Sequence, residues 1–324
     1  MRHLMKGFIV LAGLFGFFGI ALAASTPTIR WEQPRCIDEG ATTKNISAAF
    51  FDNRLHVVHR GLSSDKIYHH YYTNRWHGQA RIANQSSADT PSLAVLKDEL
   101  WMFHTSGGKG KDTRVWMSKF NGTFWEDDRA LPKEIQTDIQ PAAFGDPMGG
   151  YVALLFKGKG SPQLYWGAVK FPSASDDRLF ETATKLPDQK SDYSPTLVRW
   201  GVTWHHVHQG NSGHLWYSSS QSGMNHIWYP NLMIPGIKGT EPWLVVIQGK
   251  MHLFFLSQES GSAPTRLGYL MYEDKGMWSE VKYFDFNKKV NDIVIAVNPA
   301  DNKVHMVFVE KGTWKIYHTK QFGN

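Results

Sequence analysis

Residues 89–125 read DTPSLAVLKDELWMFHTSGGKGKDTRVWMSKFNGTFW, and this stretch decides the fold. DTPSLAVL, KDELWMFHTSGG and TRVWMSKF each hold a short run of β-branched and aromatic residues, bounded by Gly, Asp, Asn or Pro. NGTFW is a turn followed by a tryptophan that opens a fourth run. Four antiparallel strands repeated at a period of about 50 residues are the signature of a β-propeller blade.

Working outward, the fourth-strand aromatic recurs at Trp31, Trp76, Trp125, Phe180, Trp228 and Trp278. A third-strand pair recurs at Ile67-Tyr68, Val115-Trp116, Leu164-Tyr165, Leu215-Trp216, Leu267-Gly268 and Ile316-Tyr317. First strands begin at Ser47, Ser92, Ala142, Thr196, Trp243 and Ile293, four of them just after Pro91, Pro141, Pro195 and Pro242. The chain ends after its last third strand, and Trp31 precedes the first complete copy. The expected fold is therefore an all-β, six-bladed β-propeller of four-stranded antiparallel blades, its ring closed by the N-terminal strand. Closure of that kind leaves no exposed inner edge.

Residues 1–23 have the layout of a secretory signal peptide: Arg2 and Lys6, an apolar stretch over 8–20, then Ala21, Leu22 and Ala23. The apolar run is short for a membrane span. Residues 24–324 are thus expected to form one propeller, secreted to an extracellular or periplasmic space, with no membrane span after cleavage. The single cysteine, Cys36, excludes an internal disulfide and is expected to be buried and inert. A net charge of +6 suits acidic surfaces or glycans. No Lys/Arg run of the nucleic-acid-binding kind is present, so nucleic acid is not an expected partner. Residues 171–177 form the largest irregular insertion.

Two polar positions keep step with the repeat. Ahead of the first strands stand Asp89, Asp138, Asp192, Glu241 and Asp292, with Asn45 in the sixth copy. They read either as turn residues that initiate strands or as an axial cation site, with Ca2+ the candidate ion. Ahead of the third-strand aromatics stand Lys66, Arg114, Gln163, His214, Arg266 and Lys315. Four copies pair a cationic donor with an aromatic ring two residues on: Lys66 with Tyr68, Arg114 with Trp116, His214 with Trp216, and Lys315 with Tyr317. A sugar offers hydroxyl edges and weakly apolar faces, so these eight residues are the candidate ligand-binding set. The other reading is that the rings fill space between blades. The second-strand histidines, His56, His205, His252 and His305 with His59, His104 and His208, are expected to be structural, because equivalent positions on packed sheets lie about 10 Å apart.

No sequence motif of a serine hydrolase, zinc protease or nucleotide-binding loop is present, and no catalytic residue is assigned. Ser118-Lys-Phe-Asn-Gly-Thr-Phe-Trp125 resembles the Asp-box of sialidase-type propellers, S-x-D-x-G-x-T-W, with Phe120 in place of its aspartate and Phe124 in place of its threonine. The whole layout is similar to the six-bladed fucose-lectin type, in the rhythm of Ile46-Ser-Ala-Ala-Phe50 and of Lys66-Ile-Tyr68 before Trp76. In that family an arginine, a glutamate and aromatics from adjacent blades hold the sugar. The matching second-strand Arg and third-strand Glu are not found here, so those roles do not transfer. The resemblance implies a lectin-like propeller whose partner is a glycan. A protein-interaction or structural propeller with a protein partner, and a sialidase-like glycosidase or lyase, are the alternatives.

Overall fold

The structure, a computed structural model, describes residues 29–106, 113–170, 183–220, 227–257, 266–285 and 288–322. The leader at 1–23, the insertion at 171–177 and Phe180 lie outside the described residues. No helix occurs among those described. Gly, Asn and Asp punctuate the chain too often for a helix, and every run between them is strand-length.

The N-terminal strand β1 (Arg35–Ala41) is followed by a first sheet of β2 (Ile46–Phe51), β3 (Arg54–Arg60), β4 (Lys66–Tyr72) and β5 (Trp76–Ser86). The second sheet is β6 (Ser92–Leu96), β7 (Glu99–Thr105), β8 (Val115–Phe120) and β9 (Arg129–Ala130), and the third is β10 (Ala142–Asp146), β11 (Tyr151–Lys157), β12 (Gln163–Lys170) and β13 (Thr184–Lys190). β14 (Thr196–Trp200), β15 (Thr203–Gln209) and β16 (His214–Ser219) lead into a long strand, β17 (Leu232–Ile247). Its first part pairs with β16 from Leu232 to Lys238, and its second part pairs with β18 (Lys250–Ser257) from Gly239 to Ile247. β19 (Arg266–Asp274) follows, with β20 (Met277–Trp278) and β21 (Lys282–Asp285) both paired to it. β22 (Val290–Val297), β23 (Val304–Glu310) and β24 (Lys315–Lys320) complete the chain, and β1 pairs antiparallel with β24. The two ends of the chain therefore share one sheet, in the order β1-β24-β23-β22.

The innermost strands meet side to side in a closed order, β2, β6, β10, β14, β17, β22 and back to β2. Each sheet hydrogen-bonds outward from this ring, which makes the molecule an all-β propeller. The approach is close enough that a Cβ on Gly145 of β10 would sit 1.8 Å from the Val95 carbonyl oxygen. There is no single central core. Each seam between neighbouring sheets buries its own cluster, such as Val115 and Met117 of β8 against Leu154 and Phe156 of β11, and Leu267 and Tyr269 of β19 against Ile295, Met306 and Phe308. Blades bury their faces only against each other.

The fourth-strand aromatics do mark where the outer strand turns back. Trp76 pairs with Tyr72, Trp278 with Tyr272, Trp125 with Phe120, Trp228 with Ser220, and Trp31 with Gln321. Beyond each, the outer strand bulges. Four residues, 82–85, stand where Ile67 alone separates Lys66 from Tyr68, since Tyr68 pairs with Arg81 and Lys66 with Ser86. The same four-residue bulge occurs at 37–40, 186–189 and 234–237. Each buries its first residue, Ile37, Ile82, Leu186 or Ile234, in the seam. Each holds its third, Glu39, Asn84, Asp188 or Gly236, in the left-handed region at φ 62°, 57°, 56° and 71°. Cys36 precedes one of these bulges and is exposed, not buried as expected. Ile37 takes the inward position, and the pleat turns its neighbour outward.

Candidate functional site

Every third-strand aromatic stands opposite one second-strand residue: Tyr68 opposite His59, Trp116 opposite His104, Tyr165 opposite Phe156, Trp216 opposite His208 and Tyr317 opposite Phe308. Three of the rings lie over a glycine that closes the second strand. A Cβ would come within 2.7 Å of Tyr68 at Gly61, 2.9 Å of Tyr165 at Gly158 and 2.5 Å of Trp216 at Gly210. All five rings are half-buried, one side packed and the rest accessible. In the remaining copy Gly268 makes room for Phe255, which a Cβ would strike at 2.3 Å, and Arg266 lies 4.5 Å over Tyr283 of β21 instead.

The eight predicted ligand residues divide differently from their sequence pairing. Arg114 does stack on Trp116, its guanidinium carbon 5.3 Å from the ring centre. Tyr317 takes its cation from Lys288, 4.4 Å over the ring, while Lys315 is exposed. The Tyr317 hydroxyl donates to Glu310 at 3.2 Å, and Lys288 donates to the same carboxylate at 2.6 Å, so this copy closes on itself. Lys66 sits 3.8 Å from Asp65, and His214 shares a 2.9 Å hydrogen bond with Ser212, while their partners Tyr68 and Trp216 rest on His59 and Gly210. Gln163 is buried and donates to the Leu186 and Gln189 carbonyls at 2.6 and 3.1 Å, gripping the bulge of its own sheet.

One cleft lies between the second and third sheets, in the copy whose ladder position carries Gln163 in place of a cation. There the outer strand inserts five residues, 131–135, between Ala130 opposite Trp116 and Gln136 opposite Arg114. This longer bulge contains no left-handed residue; a turn from Pro132 to Ile135 closes it, with a 2.9 Å backbone hydrogen bond. It opens a cleft of about 640 Å³ against the third sheet, floored by Phe156, Gly158 and Tyr165 and rimmed by Glu134, Gln136, Lys159 and Ser161. Glu134 and Lys159 are exposed, so a carboxylate and an ammonium line the same cleft as a half-buried phenol.

The axis holds the second cluster. The residues that cluster there are Asn45, Thr90 and Gln140, just ahead of β2, β6 and β10, with Glu241 within β17 and Asp292 within β22. Thr90 donates to the Asn45 carbonyl at 2.7 Å, Gln140 to the Pro91 carbonyl at 3.1 Å, and Asn45 to Glu241 at 2.8 Å. Asp292 is fully enclosed and accepts from the Ile46 amide at 2.6 Å. Three of the five acids named as an axial ring stand further back along their loops and turn outward. Asp89 pairs with Lys44 at 3.2 Å, Asp138 with Lys157 at 2.6 Å, and Asp192 is exposed. The five therefore do not converge. No group of three His, Cys, Asp or Glu among the described residues is placed to hold a metal ion, Ca2+ included.

Glu241 and Asp292 do meet and are hydrogen-bonded to each other. Enclosure pushes the Glu241 carboxyl up to about 7; the bonds from Asp292 and Asn45 work against this, and the Asp89 charge adds to it. Enclosure and the Glu241 charge raise Asp292 well above the usual carboxylate range. Glu241 also has a left-handed backbone, φ 49°, which costs a non-glycine residue roughly 1 kcal/mol. A glycosidase needs its two carboxyls about 5 Å or more apart, flanking the scissile bond. A directly bonded pair leaves no room for one.

The histidines are structural. His56 and His69 meet at 2.9 Å, as do His305 and His318, and His59 and His70 meet at 3.1 Å. Two of the pairs pack against rings of the neighbouring sheet, His69 on Phe120 and Trp125, His318 on Tyr72 and Trp76, while His70 packs on Trp76 of its own sheet. Burial lowers all six, to about 3 or 4, so they are neutral at physiological pH. Phe120 and Trp125, the aromatic ends of the Asp-box-like stretch, thereby do core duty, while Asn121 forms the turn by accepting from the Thr123 and Phe124 amides at 3.0 Å.

No protein-family model matches the chain, and no curated protein matches it in sequence. Solved structures do. AofleA from Arthrobotrys oligospora superposes with a TM-score of 0.65 at 12% identity, over 90% of this chain and 86% of that one. An α-L-arabinanase from Penicillium chrysogenum, complexed with arabinobiose, gives 0.63 at 11% identity, over 91% and 98%. The SapL1 lectin in complex with α-methyl fucoside gives 0.56 at 11%, over 83% and 89%. The fold is thus similar to that of propellers crystallised with sugars, in keeping with the lectin-like resemblance seen in the repeat.

Proposed function

We propose that this protein is an exported carbohydrate-binding propeller of six blades, in which β17 serves two blades, and that its principal sugar site is the cleft between the second and third sheets. The observation that carries this reading is the cleft itself: the half-buried Tyr165 ring shares a cavity of about 640 Å³ with Glu134 and Lys159. Ligand sites commonly fall in this range of volume. An aromatic face takes the apolar side of a pyranose, while charged and amide groups take its hydroxyls. The sugar-bound propellers of the same fold support the assignment. Binding is favoured over hydrolysis because the enclosed carboxyls of the axis are in direct contact.

The test is a glycan array on residues 24–324, followed by titration of the best ligand. Tyr165→Ala is expected to weaken binding about tenfold, equivalent to 1.4 kcal/mol, with the melting transition retained. If Arg114→Ala abolishes binding and Tyr165→Ala does not, the site lies at the Trp116 seam. If the wild type binds no glycan on a broad array, the carbohydrate reading fails. Export rests on residues 1–23 and is checked by the N-terminal residue of the mature protein.

A further inference from the structure

Below the polar belt of Asn45, Thr90, Gln140, Glu241 and Asp292, the axis opens into a chamber of about 500 Å³. Ala48, Ala94 and Ala143 of the first three inner strands line one side, and Leu197, Trp243 and Ile293 the other. An inner strand of five residues gives the chamber a length of roughly 16 Å. The small residues are the reason space remains: three alanines face side chains several methylenes larger. The lining runs from Glu241 and Asp292 at one end to Gly145, Trp200 and Val297 at the other.

Most polar side chains around the closed end are committed to backbone. Ser47 accepts from the Leu93 amide and Thr196 from the Leu244 amide, both at 2.9 Å; Ser92 donates to the Pro141 carbonyl, and Gln140 to that of Pro91. Lys44 is held on Asp89. Arg199 also lines the chamber but is paired with Asp146, which leaves the Glu241–Asp292 carboxyls as the acidic groups facing it. The two carboxyls stand at one end of a largely apolar tube.

We propose that the axial chamber is a binding site for an amphiphilic primary ammonium, its apolar body lying along the inner strands and its head on the Glu241–Asp292 pair. An ammonium brings three donors and the complementary charge. A carboxylate meets like charge there, and a neutral apolar molecule displaces the water around the pair without replacing its hydrogen bonds. The site is separate from the Tyr165 cleft and does not rest on the glycan reading.

The test is calorimetric titration of residues 24–324 with n-hexylamine, n-octylamine, n-octanol and n-octanoate. Octylamine is expected to bind about fifteenfold more tightly than hexylamine, since each buried methylene contributes about 0.8 kcal/mol, close to fourfold. Octanol should bind at least tenfold more weakly than octylamine, and octanoate not at all. Glu241→Gln should bring octylamine down to the level of octanol. Ala94→Phe, which fills the chamber, should remove both; if that variant does not fold, Ala143→Leu replaces it. Tyr165→Ala should leave octylamine binding unchanged. The proposal is overturned if octylamine does not bind, binds no better than octanol, is indifferent to Glu241→Gln, or still binds when the chamber is filled in a folded variant.

Discussion

The seam between the first and second sheets and the seam between the second and third are built from the same parts. In the first, the bulge at 82–85 is four residues long, and its last side chain, Gln85, crosses the seam to donate to Ser118 at 2.9 Å and to the Glu126 carbonyl at 2.8 Å. The bulge at 186–189 does the same, Gln189 reaching Ser218 at 3.2 Å in the next sheet. In the second seam the bulge has a fifth residue and ends in Ile135, and the glutamine that follows it turns back within its own sheet. Gln136 donates to Lys133 at 2.7 Å and accepts from Thr113 at 2.8 Å, both in its own sheet. One inserted residue thus replaces a cross-seam lock with a cleft. The lock is present in two of the four-residue bulges, through Gln85 and Gln189, and absent where the bulge is longer.

The largest effect that separates these seams is acid sensitivity. His56, His59, His69, His70, His205, His206, His208, His252, His305 and His318 are all held below the ordinary histidine value by burial. The unfolded chain takes up protons below about pH 6.5 that the folded chain refuses until about pH 4. Stability therefore falls across that window, at up to about 1.4 kcal/mol per pH unit for each group. Glu241 and Asp292 act in the opposite sense: raised in the fold, they favour it at low pH and cost stability as pH rises through about 7. Ten groups outweigh two, so acid unfolding between pH 6.5 and 4 is expected. No histidine lies between His104 and His205, which leaves the third sheet without one. Pulsed hydrogen exchange should find β2–β4 and β23–β24 opening before β10–β13; simultaneous loss would show that the histidine seams do not lead.

Next in size is the lock. Gln85→Ala removes two hydrogen bonds and leaves Ser118 with one partner fewer in a buried seam, at a cost of about 1–3 kcal/mol. Gln136→Ala, at a half-exposed position, should cost under about 0.5 kcal/mol. Urea midpoints of the two variants measure the contrast, and equal losses would mean that the lock is no lock.

The cleft can also be erased. Deleting Glu134 returns the second sheet's bulge to four residues, and is expected to abolish glycan binding while changing stability by no more than about 1 kcal/mol. Retained binding in that variant would separate the site from the insertion. The smallest effect is Glu39→Gly, in a four-residue bulge: relieving a left-handed backbone at φ 62° should raise stability by up to about 1 kcal/mol.

The propeller was legible before any coordinates because its signals are local. Strand-length runs, turn residues and a tryptophan after each third strand repeat along the chain, and each reports only on its own neighbours. Trp76, Trp125, Trp228 and Trp278 stand where that ladder placed them, and β1 closes on β24 as the offset frame required, although the paired strand is 35–41 with Trp31 at a single bridge beyond it. The proposed site was less legible. Its aromatic, Tyr165, belongs to the ladder, but the copy drew little notice because Gln163 carries no charge. The signal that was available is length: 131–135 is one residue longer than its counterparts.

Which acids reach the axis depended on the tertiary structure alone. Asp89 and Asp138 stand in loops ahead of β6 and β10 and turn to lysines, whereas Glu241 and Asp292 lie within β17 and β22 and face inward. Repeat spacing fixes the blade to which a residue belongs, because strand pairing propagates along the chain. Direction within a loop is set by partners that are distant in sequence, Lys44 for Asp89, Lys157 for Asp138 and Asn45 for Glu241. Only the closed ring brings those partners within reach.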